Sequence, residues 1–423
     1  MDLLGRIRED MAFESNIWKS YAYRFLMEFQ LWLPIWIVYL QQQRGLSLTK
    51  ITLLDLPFFV LMVFAEVPTG ALADRFGRRW SLMLGSSLFA LAVFIFGVAD
   101  NYAVILLSYT AWGLALTFQS GADAALLYDS LKHLNREEDF QRINSRLWAL
   151  RSGAAVCALL IGAPVAAMTD FSSVIIFSAV VAALATPIAF SMHEAKRNHE
   201  EAHDPYLQTL IGGLREVWDQ PSLRYIILYA GIISAAAFAP MVFQQPFLSH
   251  HGVSVGGLGW WQAPVRGAGI VSALLAHRFL ASSGQRGAFF AMPVALTLAS
   301  LAVAGIDHAW VFVAFLGMGV VAGAQNPLLA TYINRRIPSE RRATILSVQS
   351  VVGNLIFAGI WPLNGMMADA FGLRALFLMF AALTAVFGIA SIALWSRAED
   401  RERAEMDELN RALLGREREA IAV

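Results

Sequence analysis

The chain has 423 residues, of which 57% are hydrophobic and only 15% are charged, with 32 basic and 32 acidic side chains. A soluble domain of this length needs more charge to cover its surface, so the composition excludes that class. The zero net charge predicts no nucleic-acid partner. Cys157 is the single cysteine, which excludes a disulfide framework and a cysteine metal cage.

Apolar runs recur along the whole chain and are interrupted by charged, glycine and proline residues. Each run is at least about 20 residues long, which is enough to cross the hydrocarbon core of a bilayer as a helix. The predicted spans are 19–42, 48–73, 79–99, 101–131, 144–168, 171–192, 222–249, 254–280, 286–305, 308–334, 342–368 and 372–396. The sequence therefore predicts an all-α membrane protein with twelve transmembrane helices.

Basic side chains are concentrated on one side of the predicted membrane. Loops after odd-numbered spans carry only Arg44, Lys50 and Arg374. Loops after even-numbered spans carry Arg75, Arg78, Arg79, Lys132, Arg136, Arg142, Lys196, Arg197, Arg286, Arg335, Arg336, Arg341 and Arg342. This bias predicts that both termini are cytoplasmic. The N-terminus lacks the features of a secretory signal, and the chain lacks N-glycosylation acceptors, which fits a bacterial inner membrane.

The longest hydrophilic interruption divides the predicted spans into six plus six. Its second part has apolar residues at helical spacing, which predicts a short amphipathic helix on the cytoplasmic interface. The predicted domains are an N-terminal six-helix bundle (1–192), a cytoplasmic amphipathic linker (193–221), a C-terminal six-helix bundle (222–396) and a charged cytoplasmic tail (397–423).

The two bundles also look related in sequence. A shift of 199 residues sets Asn135 on Asn334 and Asp170 on Asp369, and a slightly larger shift sets GLSLTKITLLDLP on GVSVGGLGWWQAP. Several such matches in the same order predict two six-helix repeats. Transporters built from repeats bind substrate between them, near the midplane of the membrane.

The segment GALADRFGRRWSL places charges and glycines between the second and third spans. It resembles the signature of the major facilitator superfamily, G-x-L-a-D-r-x-G-r-[KR], which is matched by Gly70, Leu72, Asp74, Arg75, Gly77, Arg78 and Arg79. The resemblance implies the major facilitator fold, two pseudo-symmetric six-helix bundles that work by alternating access. The chain is most like the bacterial drug/proton antiporter-type members, although the arginine of their fourth helix is absent.

The resemblance also implies a cytoplasmic gate. In the family, the signature Asp and Arg form a charge cluster with an acid at the cytoplasmic end of helix 4, where this chain has Asp129. The predicted gate residues are Gly70, Asp74, Arg75, Gly77, Arg78, Arg79 and Asp129. The alternative is that these loop charges only set the orientation of the chain in the membrane.

Ionisable residues inside the spans are the candidates for proton coupling, because a charge in the membrane is costly and has a use or a partner. These residues are Arg24, Glu28, Glu66, Asp123 and Arg151. The resemblance implies that helices 1, 4, 7 and 10 line the cavity, which makes Glu28 and Asp123 the principal proton carriers. The alternative is static ion pairs, either Arg24 with Glu28 or Asp123 with Arg151.

Other polar and aromatic residues are candidates for the substrate cavity. Arg266 either forms an ion pair with an acid of another helix or attracts an anionic substrate. The uncharged polar candidates are Gln119, Gln244, Gln245, Gln325 and Asn326, and Gln119 is expected to share a helical face with Asp123. Trp32, Trp36 and Tyr39 could line the path of an apolar ligand, but helix packing and interfacial anchoring are the favoured explanation.

No Walker motif, nucleophile elbow or zinc-ligand spacing occurs, so we predict no enzyme activity, cofactor or metal site. The sequence predicts a monomeric secondary transporter that moves a small organic molecule, with proton-coupled efflux as the main hypothesis. Within transport, the alternatives are an importer or facilitator for an anionic metabolite and a lipid or lysolipid transporter. A non-transporting receptor or scaffold is the alternative of a different class.

Overall fold

The computed structural model describes residues 3–194, 206–337 and 339–421. The predicted basic positions Lys196 and Arg197, in the first part of the linker, lie outside the described residues. Over the described ranges the chain is helical almost throughout and has no strand. In the same ranges, nine segments are long and apolar enough to cross a membrane. The predicted all-α membrane architecture is confirmed.

Nine helices lie between residues 3 and 194, which we call the first half. They are α1 (Leu3–Glu28), α2 (Trp36–Val38), α3 (Leu48–Phe76), α4 (Arg78–Val98), α5 (Tyr102–Gln119), α6 (Ala122–His133), α7 (Phe140–Met168), α8 (Phe171–Ala183) and α9 (Ala185–Ser191). A π-helical turn, Tyr39–Gln43, continues α2. We call the side of the bundle where α3 ends the near end, and the opposite side, where α3 begins, the far end.

The remaining helices are α10 (Tyr206–Asp219), α11 (Pro221–His250), α12 (Leu258–Gly305), α13 (Val313–Arg336), α14 (Ser339–Leu383) and α15 (Ile389–Ile421). We call α11 to α15 the second half. With 48 and 45 residues, α12 and α14 are too long for one crossing, since about 20 residues suffice. Each is broken by a non-helical glycine, Gly284 in α12 and Gly372 in α14. The total of twelve crossings stays a prediction.

The first predicted span, 19–42, is wrong as a continuous helix. The structure ends α1 at Glu28, and residues 29–35 are not α-helical before α2 begins. Pro34 lies in this break and explains it, because proline has no N–H to donate and disfavours a helical residue before it. The fourth predicted span, 101–131, is also broken: α5 ends at Gln119, and Gly121, with φ +73°, precedes α6.

Aromatic clusters form the interior of each half. In the first half, the Trp112 ring contacts the rings of Trp32, Phe58 and Tyr109 at centroid distances of 4.9–5.3 Å. In the second half, rings of four helices meet in the cluster of Tyr229, Phe289, Tyr332 and Trp395. These clusters hold the helices of each half together as one packed unit.

The linker helix and the charged tail both dock on the second half. Helix α10 coincides with the predicted amphipathic helix, and its Gly213 packs against Thr344 on α14. The tail extends α15 without a break, and Arg336 forms an ion pair with Glu402 near the end of α13. Burial of Glu399 beside the same arginine shows that the tail is not solvated all round, contrary to what its composition suggests.

Candidate functional site

An ion pair between Arg24 and Asp123 joins α1 to α6. Arg24 Nε donates a hydrogen bond to Asp123 Oδ2 at 2.6 Å, and both side chains are about one fifth exposed (18% and 20%). The left-handed conformation of Gly121 starts α6 just before Asp123, so this carboxylate lies at a helix N-terminus, which stabilises negative charge. The same break separates Gln119 from Asp123, so the expectation that they share a helical face is wrong.

A second ion pair joins α1 to α7. Glu28 is the last residue of α1, and its Oε1 lies 2.6 Å from Arg151 Nε. The Arg151 guanidinium also lies over the Trp148 ring. The two pairings considered from sequence, Arg24 with Glu28 and Asp123 with Arg151, are therefore wrong. Because α1 packs between α6 and α7, residues one turn apart on it reach partners on different helices.

Arg266, on α12 of the second half, interacts electrostatically with charges of the first half. Its side chain on α12 is exposed although it lies inside a membrane-spanning segment. The charge of Glu28 attracts Arg266 and the charge of Arg151 repels it, so it lies close to both residues of the first half. Because the charges of Glu28 and Arg151 act on it, this exposed side chain faces the first half, as an arginine beside a water-accessible cavity would.

Contacts between α3 and α14 close the far end of this cavity. The Trp361 indole Nε1 donates to Asp55 Oδ2 at 2.6 Å, and the Thr49 backbone N–H donates to Asp369 Oδ2 at 2.7 Å. On the other side of the bundle, Gly259 of α12 touches the backbone carbonyl of Leu159 on α7. All of these residues lie in the far parts of their helices, so the structure is closed at the far end.

Two glutamines of the second half also bind backbone groups at the helix break and in α2, which follows it. Gln245 accepts from the Ile37 N–H at 3.0 Å and donates to the Leu33 carbonyl at 2.9 Å. Gln262 donates to the Pro34 carbonyl at 2.9 Å. Gln245, a candidate for substrate binding, thus satisfies backbone groups that the helix break leaves open, because buried backbone N–H and C=O groups are costly without a partner.

The predicted near-end gate is built around Gly77. Its φ of +105° lets α3 turn directly into α4, and a Cβ there would collide with the Glu194 carboxylate. Glu194 accepts from the Arg78 N–H at 2.7 Å, while the Arg78 guanidinium forms an ion pair with Asp129. The structure thus brings Arg78 and Asp129 together, as the family resemblance implies, and adds Glu194, which the sequence did not suggest.

The other predicted gate residues line the same turn. Gly70, Asp74 and Arg75 are exposed, and the Arg75 guanidinium lies over the Phe76 ring. Arg79 is half-buried, and its N–H points to the second oxygen of the Glu194 carboxylate at 3.3 Å.

The three aromatic candidates for the cavity all contact aromatic rings of the first half. Trp32 and Tyr39 are buried, and each uses its polar atom on the protein: Trp32 Nε1 donates to Gln30, and the Tyr39 hydroxyl donates to the Phe96 carbonyl. Trp36 is half-buried and contacts the Tyr109 ring. Packing, the alternative weighed from the sequence, therefore accounts for Trp32 and Tyr39.

The remaining polar candidates differ in exposure. Gln119, Gln244 and Gln325 are buried, and the Gln119 and Gln244 amides bond to carbonyls of their own helices. Asn326 and Glu66 are exposed, and neither belongs to the network of ion pairs around α1.

Sequence reasoning missed Asp55 and Gln262, which both contact the opposite half. A signal for them was present: the alignment of LLDLP with WWQAP sets Asp55 on Gln262, two residues before Pro57 and Pro264 respectively. Polar residues at equivalent positions of two apolar repeats indicate a shared role.

Comparison with known proteins agrees with this architecture. A family model described as Major Facilitator Superfamily matches residues 21–362 and 270–416. The chain is 24% identical over 385 residues to the uncharacterized MFS-type transporter YxaM of Bacillus subtilis (strain 168), covering 86% of this chain and 90% of that one. It is 25% identical over 352 residues to the multidrug efflux pump Tap of Mycobacterium tuberculosis (strain ATCC 25618 / H37Rv), covering 79% and 82%.

Solved structures of low sequence identity share the fold. The nucleoside transporter NupG gives a TM-score of 0.73 at 12% identity and covers 90% of this chain and 99% of its own. A bacterial homolog of the human lysosomal transporter Spinster, in an inward-facing and unoccupied conformation, gives a TM-score of 0.72 at 16% identity. The match covers 91% of this chain and 97% of that one.

Proposed function

Because the chain belongs to the Major Facilitator Superfamily, a family of membrane transporters and not of enzymes, we propose that it exports a small organic molecule in exchange for protons. The near end would face the cytoplasm of a bacterial cell, since the basic loops lie there. Similarity to the multidrug efflux pump Tap supports the direction of transport.

The observation that carries this proposal is the charge network in the cavity. Asp123 and Glu28 each bind an arginine of another helix, and Arg266 of the opposite half lies close to Glu28 and Arg151. Charges inside a membrane protein mark ion and substrate pathways. A network that spans both halves changes whenever the halves move relative to each other.

The network suggests how protons and conformation are coupled. In the conformation closed at the far end, both carboxylates are paired with arginines of other helices. Protons would leave these two carboxyl groups towards the near end as the pairs form. Opening of the far end moves Arg266 away from Glu28, and protons from the far side can then bind. This cycle moves protons inward while substrate moves outward.

The near-end turn would act as the gate of the opposite conformation. Arg78 and Asp129 hold α4 to α6, and Glu194 binds the start of α4. This arrangement keeps the near surface of the first half rigid, so that it can dock as one unit on the second half. A partly exposed pair contributes only ~0–1 kcal/mol, which suits a gate that must open in each cycle.

Arg266 favours one second candidate, transport of an anionic metabolite. Glu28 is paired with Arg151, and among the described residues Arg266 itself forms no ion pair, so an anion would balance its charge. A substrate carboxylate or phosphate group between Arg266 and Arg151 could form charge-assisted hydrogen bonds with both.

Purified protein in liposomes with a trapped pH dye separates these functions. A panel of cationic, neutral and anionic compounds is added, and substrate-induced proton flux is recorded for wild type, Glu28→Gln and Asp123→Asn. Export coupled to protons predicts flux with cationic or neutral compounds and at least about a tenfold loss in either variant. Glu138→Gln, an exposed acid outside the cavity, is the matched control.

Two results would count against proton-coupled export. Flux only with anionic compounds would favour the second candidate. Binding of compounds without any flux would favour a receptor or scaffold.

A further inference from the structure

Asp55 is a buried carboxyl group at the contact between the two halves. It is 6% exposed, lies on α3 and accepts a hydrogen bond from Trp361 Nε1 on α14 at 2.6 Å. The Tyr109 hydroxyl on α5 also interacts with it. Among the described residues, no basic side chain forms an ion pair with Asp55. It therefore differs from Glu28 and Asp123, which are both paired with arginines.

The surroundings of Asp55 contain few other titratable groups. On α5 the facing group is Tyr109, and on α14 the next carboxyl is Asp369, about 12 Å along the helix from Trp361. On α3 itself Lys50 is exposed and lies over the Tyr102 ring of α5. The far part of α4 has no titratable side chain. The groups that face Asp55 are thus the Trp361 indole, which donates a hydrogen bond to it, and the Tyr109 hydroxyl.

We propose that Asp55 is a proton-binding site that locks the far end closed. This inference deepens the proposed function, since it rests on alternating access and assigns a proton to the far-end contact. Burial of an ionised carboxylate without a cation is costly, whereas the protonated acid can donate to Tyr109 while it accepts from Trp361. The closed far end therefore binds the proton in preference to the open one.

The reciprocal effect follows from linkage. When α3 and α14 separate, water reaches Asp55 and the carboxyl group releases its proton. A group that binds a proton more tightly in one state makes that state less populated as pH rises. Across the range in which closed-state Asp55 titrates, the ratio of closed to open protein falls by up to about tenfold per pH unit.

The test measures the far-end distance between halves in the full chain, in lipid nanodiscs without substrate. Spin labels are placed at Gln42→Cys and Ile306→Cys, exposed residues of the two halves that line one far-end depression, in a Cys157→Ser background. Distance distributions are recorded by pulsed electron resonance from pH 5 to 9. We expect the short distance to dominate at low pH and to lose population as pH rises.

Asp55→Asn mimics the protonated group, so we expect its distances to stay short at every pH. Trp361→Phe keeps a ring and removes the donor, and we expect more of the long distance at neutral pH. Asp170→Asn is the control: it removes an exposed far-end carboxyl that caps α8 outside the contact between the halves, and it should keep the pH dependence. If Asp55→Asn does not fold, Trp361→Phe and the wild-type titration carry the test.

The proposal is overturned if the wild-type distances do not change with pH or if Asp55→Asn retains the wild-type dependence. Neither result requires a substrate or proton flux. A failure of the Asp55 proposal is therefore distinguishable from a failure of proton-coupled export, which is read from liposome flux.

Discussion

Gly365 is a contact point between the halves, and replacing it with alanine should open the far end. A Cβ on this residue of α14 would lie 2.5 Å from the Leu48 carbonyl oxygen and would also collide with Thr52 Oγ1. Both partners are on α3, and the Leu48 oxygen belongs to the backbone, which cannot rotate away. The two helices must therefore separate for alanine to fit.

The structure sets the size of the effect. Normal contact needs about 3.4 Å, so α3 and α14 must move apart by about 1 Å, and overpacking of this kind costs about 1–3 kcal/mol. The cost applies only to the conformation closed at the far end. The ratio of closed to open protein should therefore fall by about 5- to 150-fold.

The assay is the same label pair, Gln42→Cys with Ile306→Cys, read at one pH. Gly359→Ala on the same helix is the control, because it gains the same helix propensity and its Cβ meets no atom within 4 Å. We expect the long distance to be enriched in Gly365→Ala and unchanged in Gly359→Ala. Identical distributions in the two variants would refute the reasoning about this contact.

Two further predictions concern the near-end gate and the N-terminus of α8. Neutralising Asp129→Asn should slow transport by up to about fivefold without changing insertion, and Arg78→Gln in the same chain should add nothing; additive losses in transport assays would contradict the pair. Asp170 caps α8 by accepting a hydrogen bond from the Ser173 N–H at 2.9 Å. Asp170→Ala should therefore lower the free energy of unfolding in detergent by about 1 kcal/mol, while Asp170→Asn should leave it unchanged. The Ser173 hydroxyl and N–H hold the pKa of Asp170 below its ordinary value, so this stability is present above about pH 4 and is lost as pH falls through the folded-state pKa; an alanine defect that persists at pH 2 would contradict this.

The membrane class and the helical fold could be predicted from the sequence because they depend on long apolar runs. A run such as LFALAVFIFGV fits few structures other than a spanning helix, and it lies within α4. The Arg78–Asp129 contact was also predictable, because the family signature fixes where the turn after α3 lies. In each case a local pattern carries the information.

The pairing of charges could not be predicted in the same way. Arg24 and Glu28 are one turn apart, so sequence spacing favours a pair between them, yet α1 packs between two helices that supply Asp123 and Arg151. Which ion pair forms depends on how the helices pack across the bundle. Spacing along one helix holds no information about that packing.

Helix breaks explain the errors about the cavity. A continuous first span would place Tyr39 on a regular stripe with Trp32, but the break at Pro34 turns both side chains into the packed interior. Backbone N–H and C=O groups at this break have no partner within a helix, and Gln245 of the other half forms hydrogen bonds with them. Its sequence position shows only an amide in an apolar span, which fits a ligand or a backbone partner equally well.

The claim that protonation of cavity carboxylates drives export is tested most directly by accumulation of a transported compound in liposomes with an imposed pH gradient. We predict accumulation against the concentration gradient, in the direction opposite to proton flow. Collapse of the pH gradient with a protonophore should abolish it. Equilibration that stops at equal concentrations, whether or not the pH gradient is present, would contradict the claim.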